Sequence, residues 1–346
     1  MVRVNIPARD VAAGRSSVSN PATAVVSTAL RHVRPRVVSV SLVVGAGGFV
    51  GRHLCDLLEA RGDEVAVVST QPGLSSWGGL RLLEDDPGRL ESRLAGVSRL
   101  YFVGGVAHGA AVGGDGVAEV LARVNVDAPL RWLRAADRAG VERFVWLSSI
   151  KVLGDVSAAP LQPDAPYRPG DAYARSKVAA ERALLGFAGQ HTSLAVVRPP
   201  LVYGPGVGAN FLRLLHWARG GLPLPLGRAD GERCLVSIDN LCDLLARLGG
   251  SGDAGVFHVA DDEAPSVAHL IARLRALLGR PARLWPLPRG LAHAGALLVG
   301  RNDLYRRLFE PLRVDTRSTR DRLGWTPPQS LDEGLQDTVT WFRTLP

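Results

Sequence analysis

Val37-Val38-Ser39-Val40-Ser41-Leu42-Val43-Val44, followed at once by Gly45-Ala46-Gly47-Gly48-Phe49-Val50-Gly51, decides how the rest of the chain is read. The first part is β-branched and mostly apolar, the pattern of a parallel strand buried on both faces. Gly45, Gly48 and Gly51 keep a G-x-x-G-x-x-G spacing, and the amphipathic stretch Arg52 to Arg61 follows them. Each glycine answers a different need. A tight turn after a strand requires a residue without Cβ, a second glycine lets the backbone approach a pyrophosphate, and a third lets helix and strand pack closely. The start of the helix then offers free N–H groups and a positive dipole end to phosphates. In a chain with 39 glycines the bland alternative is a flexible loop. The placement of the turn between a strand and a helix, with a second strand, Glu64 to Val68, beginning 19 residues after Gly45, favours a dinucleotide site. Its expected contacts here are Gly45, Gly48, Phe49, Val50 and Gly51.

Further strands are predicted at Arg99–Val103, Arg143–Leu147, Ser193–Val197 and Gly255–Ala260, and helices at 116–124, 128–139 and 173–188. Strands alternating with helices predict an α/β fold, a doubly wound parallel sheet of the Rossmann type. The last third, rich in Pro, Gly and Arg and with short helical pieces such as 266–278, reads as a smaller C-terminal substrate-binding lobe. The expected division is 1–37 as a basic extension, 38–200 as the dinucleotide-binding domain, and 201–346 as mainly the second lobe, with 235–262 returning to the sheet.

The chain has 346 residues, enough for a full core, and a formal charge of +8. Of its 41 Lys+Arg, only Lys151 and Lys177 are lysines. Residues 1–37 hold six arginines and one acid, Asp10, so they carry +5 of the +8 and leave +3 for the rest. That removes the case for a nucleic-acid face. The segment is acid-poor and Arg/Ser-rich, superficially like a transit peptide, but its reading is a disordered or dispensable extension. Cys55, Cys234 and Cys242 are scattered, with no disulfide framework or metal spacing, so no metal is expected and a cytoplasmic setting is the default. No apolar run reaches the roughly 20 residues of a membrane helix.

The end of the second strand reads Val68-Ser69-Thr70-Gln71. An acid there would suit the ribose 2′-OH of NAD. Its absence, with Ser69 able to meet a 2′-phosphate, tilts the choice between NAD and NADP modestly toward NADP. Tyr173 and Lys177 are four apart, on one face of a helix. An ammonium beside a phenol favours phenolate, which would make Tyr173 an acid/base near neutral pH. Ser149, at the end of the strand Arg143–Leu147, would hydrogen-bond the same substrate oxygen. The pair alone is a common pattern, but Lys177 is conspicuous where nearly every other cation is arginine, because a compact ammonium is not replaced by a planar guanidinium. Lys151 reads as a surface or loop cation, or as a further site residue.

The glycine turn, the segment Phe144-Val145-Trp146-Leu147-Ser148-Ser149-Ile150-Lys151-Val152, the Tyr173/Lys177 pair, Arg198-Pro199-Pro200-Leu201-Val202-Tyr203-Gly204-Pro205-Gly206 and the late Leu323-Gly324-Trp325-Thr326-Pro327 together resemble the extended short-chain dehydrogenases/reductases. Within these the chain is similar to the NAD-dependent epimerase/dehydratase group, in its nucleotide-sugar 4-epimerase and 4-ketoreductase branch. The resemblance runs over about residues 39–345. It implies Tyr173 as acid/base at the sugar C4 oxygen, Lys177 on the nicotinamide ribose and lowering the Tyr173 pKa, and Ser149 orienting the C4 oxygen. It implies cofactor contacts from Arg198, Pro199 and Gly104, and from Asp85 toward the adenine unless Asp85 belongs to an ordinary acidic loop. It implies substrate contacts from Asn210 and from Arg233, a phosphate clamp or one more solvated arginine. His108 would line the sugar pocket or sit on an exposed loop. The resemblance also implies a homodimer.

Ile150 and Lys151 stand where 4,6-dehydratases of this fold need an acid and a base, which argues against dehydration. What remains is hydride transfer at C4 of a UDP-hexose, by an epimerase of the UDP-glucose or UDP-GlcNAc type in surface-polysaccharide precursor synthesis, or by an NADPH-dependent reductase of a UDP-4-keto-6-deoxy sugar. A reductase of an apolar sterol- or flavonoid-like carbonyl and a non-catalytic cofactor-binding protein are the remaining alternatives.

Overall fold

The computed structural model describes residues 40–69, 86–106 and 116–346. The strand read at 37–44 is β1 (Val40–Val44) within these bounds, and it is followed by α1 (Phe49–Ala60) and β2 (Glu64–Val68). Then come α2 (Pro87–Arg93), β3 (Val97–Phe102), α3 (Val117–Ala122) and α4 (Ala128–Arg138), the last two joined by a π-helical turn, Arg123–Asp127. β4 (Arg143–Leu147) leads into a 3₁₀ turn, Ile150–Val152, and then β5 (Ser157–Leu161), α5 (Ala172–Leu185) and β6 (Ser193–Arg198). The expected helix of residues 173–188 therefore begins one residue earlier, because Asp171 caps it by accepting the Ala174 N–H at 2.7 Å.

The second half holds β7 (Leu201–Tyr203), α6 (Ala209–Arg219), β8 (Leu235–Ser237), α7 (Ile238–Gly250), β9 (Gly255–His258) and α8 (Val267–Leu277). It ends with α9 (Arg289–Leu298), α10 (Asn302–Phe309), β10 (Leu312–Val314), α11 (Arg317–Leu323) and α12 (Leu331–Phe342). Six strands form one sheet in the order β2-β1-β3-β4-β6-β9, every pairing parallel. The small pairs β10–β5 and β7–β8 stand apart from it.

Strand alternation divides the core. Leu42 and Val44 point to the face covered by α4, with Trp132 and Leu133, whereas Val43 points to the face covered by α1 and α7, with Leu54, Leu241 and Leu245. Both faces are dry, so β1 is apolar throughout. α7, which carries no strong signal in the sequence reading, is the main cover of this second face, and its Ser237 cap accepts the Asn240 N–H.

The chain leaves β1 to β2 on one side and returns to β3 on the other. The carboxyl ends of β1 and β3 therefore flank the point where the strand order reverses, the place where open α/β sheets bind ligands. Trp132 is fully buried under the sheet. Trp132→Ala should lower stability by about 3–5 kcal/mol, read as a drop in the urea midpoint.

Candidate active site

Two of the three glycines of the turn are fixed by the protein itself. Gly45 has φ +96°, and a Cβ there would meet the Gly104 backbone at 2.4 Å. At Gly51 a Cβ would lie 2.2 Å from the Gly45 carbonyl oxygen. The first is the tight turn at the switch point, and the second is the close packing of α1 on β1. Gly48 differs. It caps α1 in an extended conformation, and its nearest neighbour to an added Cβ is the Gly45 oxygen at 3.3 Å. The packing of the protein barely needs glycine at 48, whereas a phosphate seated on the N-terminus of α1 would. Phe49 and Val50 open α1 and are half-buried, and Ser69 is half-buried at the end of β2. Asp85, His108 and Thr70 lie outside the described residues.

α5 carries a polar stripe at Tyr173, Lys177 and Glu181, spaced one turn apart. Lys177 is 4% exposed; its Nζ donates to the Leu147 carbonyl at 2.9 Å and lies 4.6 Å from the centre of the Trp146 ring and 6.0 Å from that of Tyr173. Burial pulls its pKa down to about 8, with Glu181 pulling the other way. Ser149 is buried at the start of the 3₁₀ turn, and its hydroxyl is hydrogen-bonded to the Tyr173 phenol. The structure thus brings Ser149, Tyr173 and Lys177 together. The phenol is pushed up to about 12, chiefly by burial, while the Ser149 hydrogen bond pulls it down and the Asp171 carboxylate pushes it up. The lysine ammonium is turned to a strand carbonyl, so the depression of the Tyr173 pKa expected from Lys177 is not present in the protein alone.

Two side chains unforeseen in the sequence complete the frame. Asn125, in the π-helical turn, accepts from the Val106 N–H at 2.9 Å and donates to the Val106 carbonyl and to Ser176 Oγ. It ties the segment after β3, where Gly104 and Gly105 lie, to α5 next to Lys177. A π-helical insertion is a common mark of a functional site, but a single Asn in a short helix gives no signal in sequence. Glu181 is fully buried. It accepts from the Arg198 guanidinium at 2.5 and 2.9 Å and from Tyr167 Oη at 2.9 Å, and it also accepts the Ser148 hydroxyl. Arg198, read from sequence as a cofactor contact, is in the structure the buried partner of Glu181, and it also donates to the Pro163 carbonyl. Pro199 follows it, and its carbonyl accepts the Ile150 N–H.

Arg233 is half-buried and held by two carbonyls, those of Glu310 at 2.7 Å and Asp155 at 3.0 Å. Burial lowers its pKa to about 10; the Asp155 carboxylate opposes this, and the neighbouring Arg307, half-buried on α10, adds to it. No carboxylate among the described residues lies within ion-pair distance of either guanidinium. Two guanidiniums side by side, with their nearest carboxylates beyond ion-pair distance, suit an anion. Arg307 was not singled out in sequence, being 74 residues from Arg233 and one arginine among many. Asn210 is exposed at the start of α6, just after Ala209, which holds a left-handed φ of +49°. Its Oδ1 accepts from Arg213 at 3.0 Å. Among the described residues no cluster of His, Cys, Asp or Glu suits a metal, and no helix is long and apolar enough to cross a membrane.

Comparison with known proteins agrees with this construction. Residues 41–257 match the model of the NAD dependent epimerase/dehydratase family. The chain belongs to that family. It is 33% identical over 310 residues to a UDP-glucose 4-epimerase of Vibrio cholerae, covering 87% of this chain and 94% of that protein. It is 28% identical to a dTDP-4-dehydro-6-deoxy-D-allose reductase of Streptomyces bikiniensis, covering 87% of this chain and 95% of the other. Among solved structures, MoeE5 in complex with UDP-glucose and NAD is 26% identical and superposes with a TM-score of 0.68, over 88% of this chain and 99% of that one. The protein is thus an enzyme of the extended short-chain type, with the nicotinamide dependence of its family.

The three glycines should separate under substitution. Gly48→Ala should leave the melting temperature within a few degrees and weaken dinucleotide binding at least tenfold by calorimetry, whereas Gly51→Ala should fail already in stability. Lys177 gives a pH signature. Its folded pKa near 8 lies below its ordinary 10.5, so the unfolded chain binds more protons between those values and stability rises with pH across that window. With the folded group half protonated at pH 8, the gain from pH 8 to 10 should be about 2 kcal/mol, and it should be missing in Lys177→Met when urea midpoints are compared.

Proposed function

We propose that this enzyme is a nucleotide-sugar C4 epimerase, acting on a UDP-hexose of the UDP-glucose or UDP-GlcNAc type. The observation that carries the reading is the half-buried Arg233 with Arg307 beside it and no carboxylate among the described residues in ion-pair contact with either, tied through the Asp155 carbonyl to the segment that follows β4. A sterol- or flavonoid-like substrate has no use for two adjacent half-buried guanidiniums. A nucleoside diphosphate supplies their counter-charge. The UDP-glucose 4-epimerase of V. cholerae and the UDP-glucose complex of MoeE5 support the same substrate class.

A bound nicotinamide would supply the acceptor and donor of hydride for C4. The turn Gly45–Gly51 would seat its pyrophosphate, and Lys177 would meet its ribose. Tyr173 then withdraws the proton of the C4 hydroxyl while the C4 hydrogen leaves as hydride, and Ser149 holds the oxygen throughout. After the 4-keto sugar presents its other face, Tyr173 would return its proton to the C4 oxygen while Ser149 keeps its hold on that oxygen. The turn after Ser149 offers Ile150 and Lys151 in place of an acid and a base, so the 6-hydroxyl is retained.

The second reading is a 4-ketoreductase, favoured by the likeness to the Streptomyces reductase and by the missing acid beside Ser69. The test is to identify the dinucleotide released on denaturation, then to follow UDP-GlcNAc and UDP-glucose by NMR and a UDP-4-keto-6-deoxy sugar with NADPH. Inversion at C4 without net NADPH consumption is expected. Consumption of NADPH with the keto sugar alone would establish the reductase instead. Tyr173→Phe should lower kcat at least a thousandfold. Arg233→Met and Arg307→Met should each raise the KM for the UDP-sugar ten- to a hundredfold with a smaller change in kcat.

A further inference from the structure

Both lysines of this arginine-rich chain converge on one ring. Lys151 Nζ lies 5.9 Å from the centre of the Tyr173 ring, and Lys177 Nζ lies 6.0 Å from it. Lys151 is in the 3₁₀ turn that begins at Ser149, and its backbone N–H donates to Ser149 Oγ at 3.3 Å. Its ammonium is ion-paired with Asp171, and it lies 3.5 Å from Asp155. Asp171 is the N-cap of α5, accepting the Ala174 N–H with one oxygen while the other meets Lys151. Gly170 makes room for this cluster, since a Cβ there would lie 2.8 Å from the Asp155 carboxylate. The Asp155 carbonyl in turn accepts from Arg233 at 3.0 Å.

We propose that Lys151 is a positioning residue for the catalytic pair. Its ammonium fastens the Ser149 turn to the cap of α5 and screens the Asp171 carboxylate from the Tyr173 phenol. The charged groups around that phenol are Lys177 and Glu181 on its own helix, Asp171 at the cap, and Lys151 and Asp155 after β4. Arg233 touches the same segment. Of these, Asp171 opposes phenolate formation, and Lys151 is the cation bound directly to it. A compact ammonium can meet two carboxylates and lie beside a ring at once, where a planar fork would need a different arrangement. The same bond adds a tie at the helix cap to those that the Leu147 carbonyl makes with Lys177 and Ser148 with Glu181 farther along α5, and so helps hold Ser149 Oγ and the phenol in register. This inference rests on the proposed acid/base role of Tyr173.

Removing the cation leaves Asp171 unscreened, which raises the phenol, so the alkaline-rising limb of the kcat profile moves to higher pH. In Lys151→Met we expect that limb to shift up by at least half a pH unit. In the same variant kcat should fall tenfold or more at neutral pH, and KM should stay within threefold. Lys151→Met/Asp171→Asn should return the limb to its original position, since Asn still caps the helix but carries no charge. The phenol is also read without substrate, by ¹³C NMR of ring-labelled tyrosine in the cofactor-loaded protein, with Tyr173→Phe giving the assignment among the five tyrosines. Its titration midpoint should rise in Lys151→Met and fall in Asp171→Asn alone, a variant that keeps the lysine should the first not fold. A midpoint unmoved in Asp171→Asn, or a Lys151→Met profile superimposing on the parent, overturns the role of Lys151. A wrong sugar assignment leaves the NMR result standing and shows only as absent turnover in the parent enzyme.

Discussion

The site depends on a polar stripe buried along one helix. Lys177 and Glu181 of α5 are both inside the protein, and neither charge tolerates such a place without partners. The partners come from the carboxyl ends of two strands: the Leu147 carbonyl at the end of β4 for the lysine, and Arg198 at the end of β6 for the glutamate. The helix therefore has one rotation and one height at which both charges are met. Tyr173, one turn before Lys177, is delivered beside Ser149 as a consequence. The placement of this proposed catalytic pair is inherited from buried electrostatics one and two turns away. Such a pair contributes little net stability, but breaking it by losing one partner costs about 3–5 kcal/mol, which makes it a strong selector of geometry.

The other half of the site follows from sheet topology. Reversal of strand order between β1 and β3 opens a crevice at their carboxyl ends, and Gly45 and Gly104 let the two backbones close on each other there. Asn125 bridges the halves by holding the segment after β3 against α5. Cofactor and acid/base are thus placed by two constraints, one of chain path and one of buried charge, that meet at Gly105, where an added Cβ would lie 3.1 Å from Asn125 and 3.6 Å from Lys177.

Much of this was legible in the sequence because its signals are local. The apolar run into Gly45 gives β1 and its turn, and a spacing of four residues gives the Tyr173/Lys177 face. The scarcity of lysine singled out Lys177 for a place between ribose and phenol, whereas in the structure its buried ammonium donates to the Leu147 carbonyl. What stayed hidden is non-local. Arg198 and Glu181 are 17 residues apart on different elements, and nothing in either segment announces the pair, so Arg198 was read toward the cofactor. Asn125 acquires meaning only through Val106 and Ser176, and Arg307 only beside Arg233. α7 was not read from the sequence although its pattern is local: Asp239, Asp243 and Arg247 repeat every four residues on its outer side, and Leu241, Leu244, Leu245 and Leu248 face the sheet.

The central claim is that one hydrogen leaves C4 as hydride and returns to the same carbon, while the hydroxyl proton passes through Tyr173. The most direct measurement is epimerisation of the UDP-hexose in D₂O, with the product read by proton NMR and mass spectrometry. The account predicts inverted C4 that keeps its original protium, with no deuterium in the carbon skeleton. Deuterium at C4 or at the neighbouring C5 of the inverted product would show proton abstraction from carbon and would contradict it.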